Sequence, residues 1–244
     1  MIHISAVGLR RKRMAAIAIA MIVGAGASAE AAAPALPSVG ALPRHAAALE
    51  GFVPRGWKLV AKPAGDLNGD GRADVLLVLH DADPRNVTYR ADFNRNFDAN
   101  PYILAVVFAS PAGGYDLGLE NRTFIPRPAQ PDDDLQFTGR DAEIRHGAFK
   151  ITFEELRGHT DFTFRWQNGR FALIGFDTAG VSDMAGDSES TSIDFSTGRV
   201  KLETGNISAE GPGKVVWKTL KPAAPPSIDT IGDGTMFDYT SLFD

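Results

Sequence analysis

The chain has 244 residues, with 25 lysines and arginines against 30 aspartates and glutamates, a formal net charge of −5, and no cysteine. That acidic balance repels phosphate backbones and anionic lipid surfaces, which excludes nucleic acid as a natural partner and favours cations. Without cysteine no disulfide can staple the fold, so stability rests on a hydrophobic core, with or without a metal.

At the N-terminus Arg10, Arg11, Lys12 and Arg13 precede the apolar run 14–23, and Ala27-Ser28-Ala29 places small residues where a peptidase would cut. This order predicts a signal peptide over 1–29, since the run falls well short of the roughly 20 residues that span a bilayer. Its removal leaves 21 basic residues against 30 acidic ones, a net charge of −9, in a chain expected in the periplasm or outside the cell. No cysteine follows the apolar run, so a lipoprotein anchor is excluded. Residues 30–43 ("EAAAPALPSVGALP") read as an Ala/Pro-rich linker. The next stretch, "RHAAALEG" at 44–51, is expected to form one or two helical turns ended by Gly51 and Pro54.

From Trp57 the texture changes to short β-branched and aromatic runs separated by Gly, Pro, Asn and Asp. Strands are expected at 58–62, 73–80, 102–110, 115–120, 142–145 and 149–154, then at 161–167, 170–177, 190–196, 199–203 and 214–220. Asn168-Gly169 in "WQNGRF" is the dipeptide best suited to positive φ at both turn positions, and "FSTGRV" and "RHGAF" repeat the signal. Hairpins imply antiparallel neighbours, and no long helical period intervenes. The fold class is therefore all-β, an antiparallel, hairpin-rich meander with little helix, built either as a sandwich or as partial propeller-like sheets. Alternation puts Phe162, Phe164 and Trp166 on one face of their strand. In the next strand it sets Phe171, Leu173 and Gly175 opposite Ala172, Ile174 and Phe176. The β-rich domain is expected over 44–221, followed by a Pro-rich linker and tail over 222–244. In that tail Phe237, Tyr239, Leu242 and Phe243 either dock on the domain or stay free.

One stretch carries chemistry. In "GDLNGDGRADVLLVL" the acids and amides fall as Asp66-x-Asn68-x-Asp70-Gly71-x-x-Asp74, just before an apolar strand. Calcium takes six to eight oxygens, and alternate residues of a tight loop can point three side chains inward. Asp66, Asn68 and Asp70 would do so, Gly71 would let the Arg72 carbonyl reach the ion, and Asp74 would close the shell. An EF-hand is excluded, because its twelfth position needs a bidentate acid and here holds Leu77. The pattern resembles the calcium loops of FG-GAP/VCBS repeats, which lead into an apolar strand as 74–78 do. The resemblance spans about residues 62–80 and a following strand pair at 102–120, as a single copy. It implies a structural Ca2+ held by Asp66, Asn68, Asp70, Arg72 through its carbonyl, and Asp74. A second stretch, Asp92, Asn94, Asn96 and Asp98, imitates the spacing but has Phe97 where the turn glycine belongs. The texture of "WQNGRFALIG" and "SIDFSTGRV" is also similar to exported bacterial proteins that carry one such loop.

Signals for other chemistry are sparse. "GVSDM" around Ser182 has Met184 where a nucleophile elbow requires glycine. Glu154 and Glu155 are strand neighbours and point to opposite faces. His159 and Asp161, with His146 on a nearby hairpin, form the best acid–base set and would serve a periplasmic hydrolase. His80-Asp81-x-Asp83 suggests an accessory cation site, and Asp132–Asp134 a solvated acidic loop. The leading expectation is an exported, calcium-stabilised module that binds a protein or glycan at the bacterial cell envelope. A purely structural envelope component is the remaining alternative.

Overall fold

Strand by strand, the alternation and turn signals are realised in the computed structural model, which describes residues 39–127, 141–182, 186–209, 211 and 213–244. The signal peptide, linker residues 30–38, Asp132–Asp134 and Met184 lie outside the described residues. In chain order the strands are β1 (His45–Ala46), β2 (Trp57–Ala61), β3 (Ala64–Gly65), β4 (Asp74–Asp81), β5 (Val87–Arg90), β6 (Arg95–Asp98), β7 (Tyr102–Ala109) and β8 (Tyr115–Asn121). They continue as β9 (Ala142–Arg145), β10 (Ala148–Glu155), β11 (Gly158–Gln167), β12 (Arg170–Ser182), β13 (Asp187–Asp194), β14 (Arg199–Asn206) and β15 (Lys214–Thr219). A single α-helical turn, α1 (Ile228–Ile231), follows. All pairings between these strands are antiparallel.

Strands β1, β8, β7, β4 and β2 form one curled sheet in that order, with β3 also beside β4. Strands β9 to β15 form a seven-stranded meander in sequence order, and β5–β6 is a separate hairpin. The two larger sheets share one core. Leu76, Val78, Leu104 and Val106 of the curled sheet meet Phe149, Ile151, Phe162, Phe164, Phe176 and Ile193 of the meander. The curled sheet is covered on its other face as well. There Val75, Leu77, Leu79, Ile103 and Val107 pack under Leu42 and Phe52 from the N-terminal segment. Burial on both faces explains why β4 reads as a continuous apolar run rather than an alternating one.

Residues 44–51 depart from the expected helical turns. His45–Ala46 pairs with β8, the Leu117 N–H donates to the Arg44 carbonyl (2.8 Å), and a 3-10 turn spans Leu49–Phe52. An open strand edge and the pocket that takes Phe52, which is fully buried, outweigh the helix propensity of three alanines.

In β12 the expected face assignment holds for Phe171 and Leu173 but not for Phe176. The register of β11 and β12 shifts between Thr163 and Phe164, so Leu173 opposes Phe164 while Phe176 opposes Phe162. The extra residue is a bulge, which reverses the alternation beyond it and returns Phe176 to the core. Its ring meets that of Phe162 edge-on at 5.1 Å. The neighbouring turn behaves as read, with Asn168 and Gly169 at φ 53° and 76°.

The tail docks. The Leu173 N–H donates to the Pro226 carbonyl (2.8 Å), where β13 no longer reaches, and Ser227 caps α1 with a reciprocal capping box. Ile228 is fully buried, and the Phe237 and Tyr239 rings rest on Phe176 at 5.4 and 4.8 Å. None of these residues has an apolar period of its own. The tail is held by the aromatic face that the meander presents. No helix among the described residues is long and apolar enough to cross a membrane.

Candidate functional site

The acidic turn between β3 and β4 is built from its own backbone. Gly69 and Gly71 sit at φ 79° and 84°, which coils the chain so that amide groups converge on Asp66. One Asp66 oxygen accepts from the N–H groups of Gly69 (2.7 Å) and Asp70 (3.2 Å), the other from that of Gly71 (2.9 Å). These bonds, the one from Gly71 foremost, hold the Asp66 carboxyl below the usual aspartate range against the opposing push of its partial burial. Asn68 Oδ1 accepts from the Asp70 N–H (3.0 Å), and Asp70 Oδ1 from the Arg72 N–H (2.8 Å). The second Asp70 oxygen receives the Asn68 amide (3.0 Å) and pairs with the Arg72 guanidinium, whose Nε also donates to the Ala109 carbonyl (2.9 Å).

Asp74 stands apart from this turn. It is fully buried, and its Oδ2 accepts from the N–H groups of Leu67 (2.9 Å) and Asn68 (3.3 Å). Its Oδ1 accepts from the Ala109 N–H (2.9 Å), which ties the turn to the end of β7. Of the five residues read as ligands, Asp66, Asn68 and Asp70 wrap one turn, Arg72 adds a positive side chain, and Asp74 faces inward. Among the described residues no three acidic or imidazole side chains are gathered as a metal-holding group. Carboxylate and amide oxygens are nevertheless the hard donors calcium takes, and each bonded carboxylate oxygen keeps a further lone pair. The donor set fits the ion in chemistry, and the Arg72 guanidinium is the charge an incoming cation would replace on Asp70.

The other sequence-marked residues are dispersed. His80 stacks on Tyr102 (4.2 Å between centroids, 10° apart), with its Nε2 buried, unpartnered and 3.8 Å from Asp98 Oδ1. Asp81 accepts from the Ala82 N–H (2.8 Å). Asp83 caps a short 3-10 turn, and the Arg85 guanidinium holds its carboxyl at about 2. The three thus serve separate partners rather than one cation. His159 faces Glu154 at the far end of β10, whereas His146 lies in the β9–β10 turn, roughly 25 Å away along the strand. Asp161 is held by Thr152 Oγ1 (2.6 Å) and Lys150 Nζ (3.2 Å), and no hydrogen bond joins it to His159. The acid–base set is not assembled.

A feature the linear pattern missed lies where the meander runs past the core. Beyond Phe162, Phe176 and Ile193, the same strand faces continue as Thr160, Thr178 and Thr191, then Gly158, Gly180 and Glu189. The Thr160 and Thr178 hydroxyls are bonded at 3.1 Å. With Glu155, Arg157 and Tyr239 these strands line an open cavity of about 420 Å³. Thr191 is only 9 % exposed, and neither its hydroxyl nor that of Tyr239 has a hydrogen-bond partner among the described residues. The signal was present as polar residues on the core-facing parity of β12 and β13, but only the bulge-corrected register reveals it. No protein family, curated protein or solved structure matches the chain, so its site is read from its own residues.

Proposed function

We propose that this protein is an exported binding module that takes a glycan in the cavity at the end of the meander. The observation that carries the reading is the threonine row there. Thr178, Thr191, Ser182, Glu155, Glu189 and Tyr239 border a single opening. Sugars ask for this combination of short donor–acceptor groups and an apolar ring to lie against. Its walls are rigid strands, so little ordering cost falls on binding. A titration with soluble envelope oligosaccharides tests the reading. Binding that weakens at least tenfold in both Thr191→Val and Tyr239→Ala supports it, and an isotherm unchanged in both overturns it.

The acidic turn serves stability in this reading. As a structural calcium loop of the FG-GAP/VCBS kind it would hold the ion through Asp66, Asn68, Asp70, the Arg72 carbonyl and Asp74. The ion would neutralise carboxylates of which Arg72 now pairs with one, that of Asp70. What supports it is the donor chemistry and the coiled backbone on Asp66. Melting the protein with calcium and with chelator tests this part, and coincident midpoints would remove it.

A further inference from the structure

We propose that the open edge of the meander, strand β15, docks an extended acidic segment of a partner protein as an added strand. The backbone supplies the first ground. The Leu220 N–H donates to the Gly198 carbonyl (2.8 Å), and Lys218 and Val216 oppose Val200 and Leu202. The ladder therefore consumes the even-numbered residues of β15. The N–H and C=O groups of Val215, Trp217 and Thr219 point away from the sheet, with no backbone partner among the described residues. One position further on, the same edge is already paired: Lys221 donates to the Leu242 carbonyl (2.8 Å), and Leu220 bridges Phe243. The edge thus accepts an antiparallel neighbour in this fold, and the tail fills only its end.

The side chains supply the second ground. Val215, Val216 and Trp217 are 42 %, 37 % and 56 % exposed, an apolar run left on a strand edge. Such edges are open to strand addition, with backbone bonds giving affinity and side chains giving selectivity. Charge names the occupant. Lys214 and Lys218 flank the run, and the Arg199 guanidinium lies 4.3 Å over the Trp217 ring, so 214–219 is basic and free of acid in a chain of net charge −5. Opposite charges across a strand pair attract, and like charges directly opposite repel. A second copy centred on Val216 would set Lys214 against Lys218 twice. The lysines that discourage self-pairing favour an acidic strand. The proposal stands apart from the glycan cavity and does not rest on it.

The test titrates the full chain with a short peptide of alternating valine and glutamate, and with its valine–lysine counterpart, by fluorescence anisotropy and amide chemical shifts. The glutamate peptide is expected to bind saturably, to move the Val215, Trp217 and Thr219 amides, and to bind roughly tenfold more tightly than the lysine peptide. Val215→Pro deletes an outward N–H without touching the ladder to β14, and should abolish binding. Lys214→Glu, a charge reversal at an exposed side chain, should weaken the glutamate peptide and strengthen the other, so the proposal stays testable if the proline variant misfolds. Equal binding of both peptides, an indifferent Lys214→Glu variant, or dimerisation of the chain without peptide uptake would overturn it.

Discussion

The 66–74 turn and the far end of the meander both concentrate polar groups, and they use them in opposite ways. In the turn, Asp66 and Asp74 together accept from six backbone N–H groups, and Asp70 carries the Arg72 guanidinium. At the end of the meander, Thr191 and Tyr239 line an open cavity, and their hydroxyls have no hydrogen-bond partner among the described residues. Polar groups close together in sequence are within reach of one another's backbone and satisfy it. Polar groups aligned across strands are satisfied only in part, as where Ser182 Oγ donates to the Asp187 carbonyl (3.2 Å) while the Thr191 hydroxyl is left for a ligand. Crowding along the chain here builds a staple, while the alignment of Thr178 and Thr191 across strands builds the wall of a cavity.

Substitutions should separate the two uses. Asp74→Ala is expected to have the largest effect, a loss of about 3 kcal/mol in chemical denaturation, because it orphans one buried and two part-buried N–H groups and frees the turn from Ala109. Ile228→Ala should follow at roughly 2–3 kcal/mol, as it empties a fully buried site and loosens the tail that carries Tyr239. Asp70→Ala should cost only about 1 kcal/mol, since its bonds are exposed, and should cancel any gain from calcium. Were Asp70→Ala to match Asp74→Ala, the division between an inner staple and an outer turn would fail.

Much of this organisation was legible in the chain. The face shared by Phe162 and Phe164 and the turn at Asn168-Gly169 follow from alternation and turn chemistry, which are local. The tail and residues 45–52 were not legible in the same way. Their apolar residues are too sparse to carry a period, and a sheet edge made elsewhere decides where they go. Phe176 was misplaced for a sharper reason: one extra residue at the bulge inverts parity, and neither strand's own sequence announces it. The same bulge hid the cavity, because Thr178 and Gly180 share the core-side face only once Phe176 is turned inward. Within the acidic turn the residue types and spacing were legible, whereas the inward orientation of Asp74 depends on the Ala109 N–H, contributed from far along the chain.

In the cavity, Thr191→Val should leave stability within about 0.5 kcal/mol of the parent, since the hydroxyl it removes has no hydrogen-bond partner among the described residues. The same change should weaken glycan binding, and a marked loss of stability instead would mean that the threonine row is structural.

The smallest effect concerns His80, a polar group of neither kind, buried yet left without a partner at Nε2. Burial pushes its imidazole below the ordinary histidine range, against the opposing pull of Asp98, the Asn100 backbone and Asp81, with Lys58 adding to the depression. The unfolded chain therefore binds the proton more readily than the folded one. Stability contributed at this site is full above the ordinary histidine range, and is lost as pH falls through that range towards the depressed folded value. Parallel denaturation of the parent and a His80→Phe variant at pH values from 8 down to about 5 should show a steeper acid decline in the parent. The phenyl ring keeps the stack on Tyr102 and removes the titration. Identical slopes would mean that the Nε2 atom is relieved by Asp98 on protonation, closing the 3.8 Å gap into an ion pair as strong as the solvation it replaces.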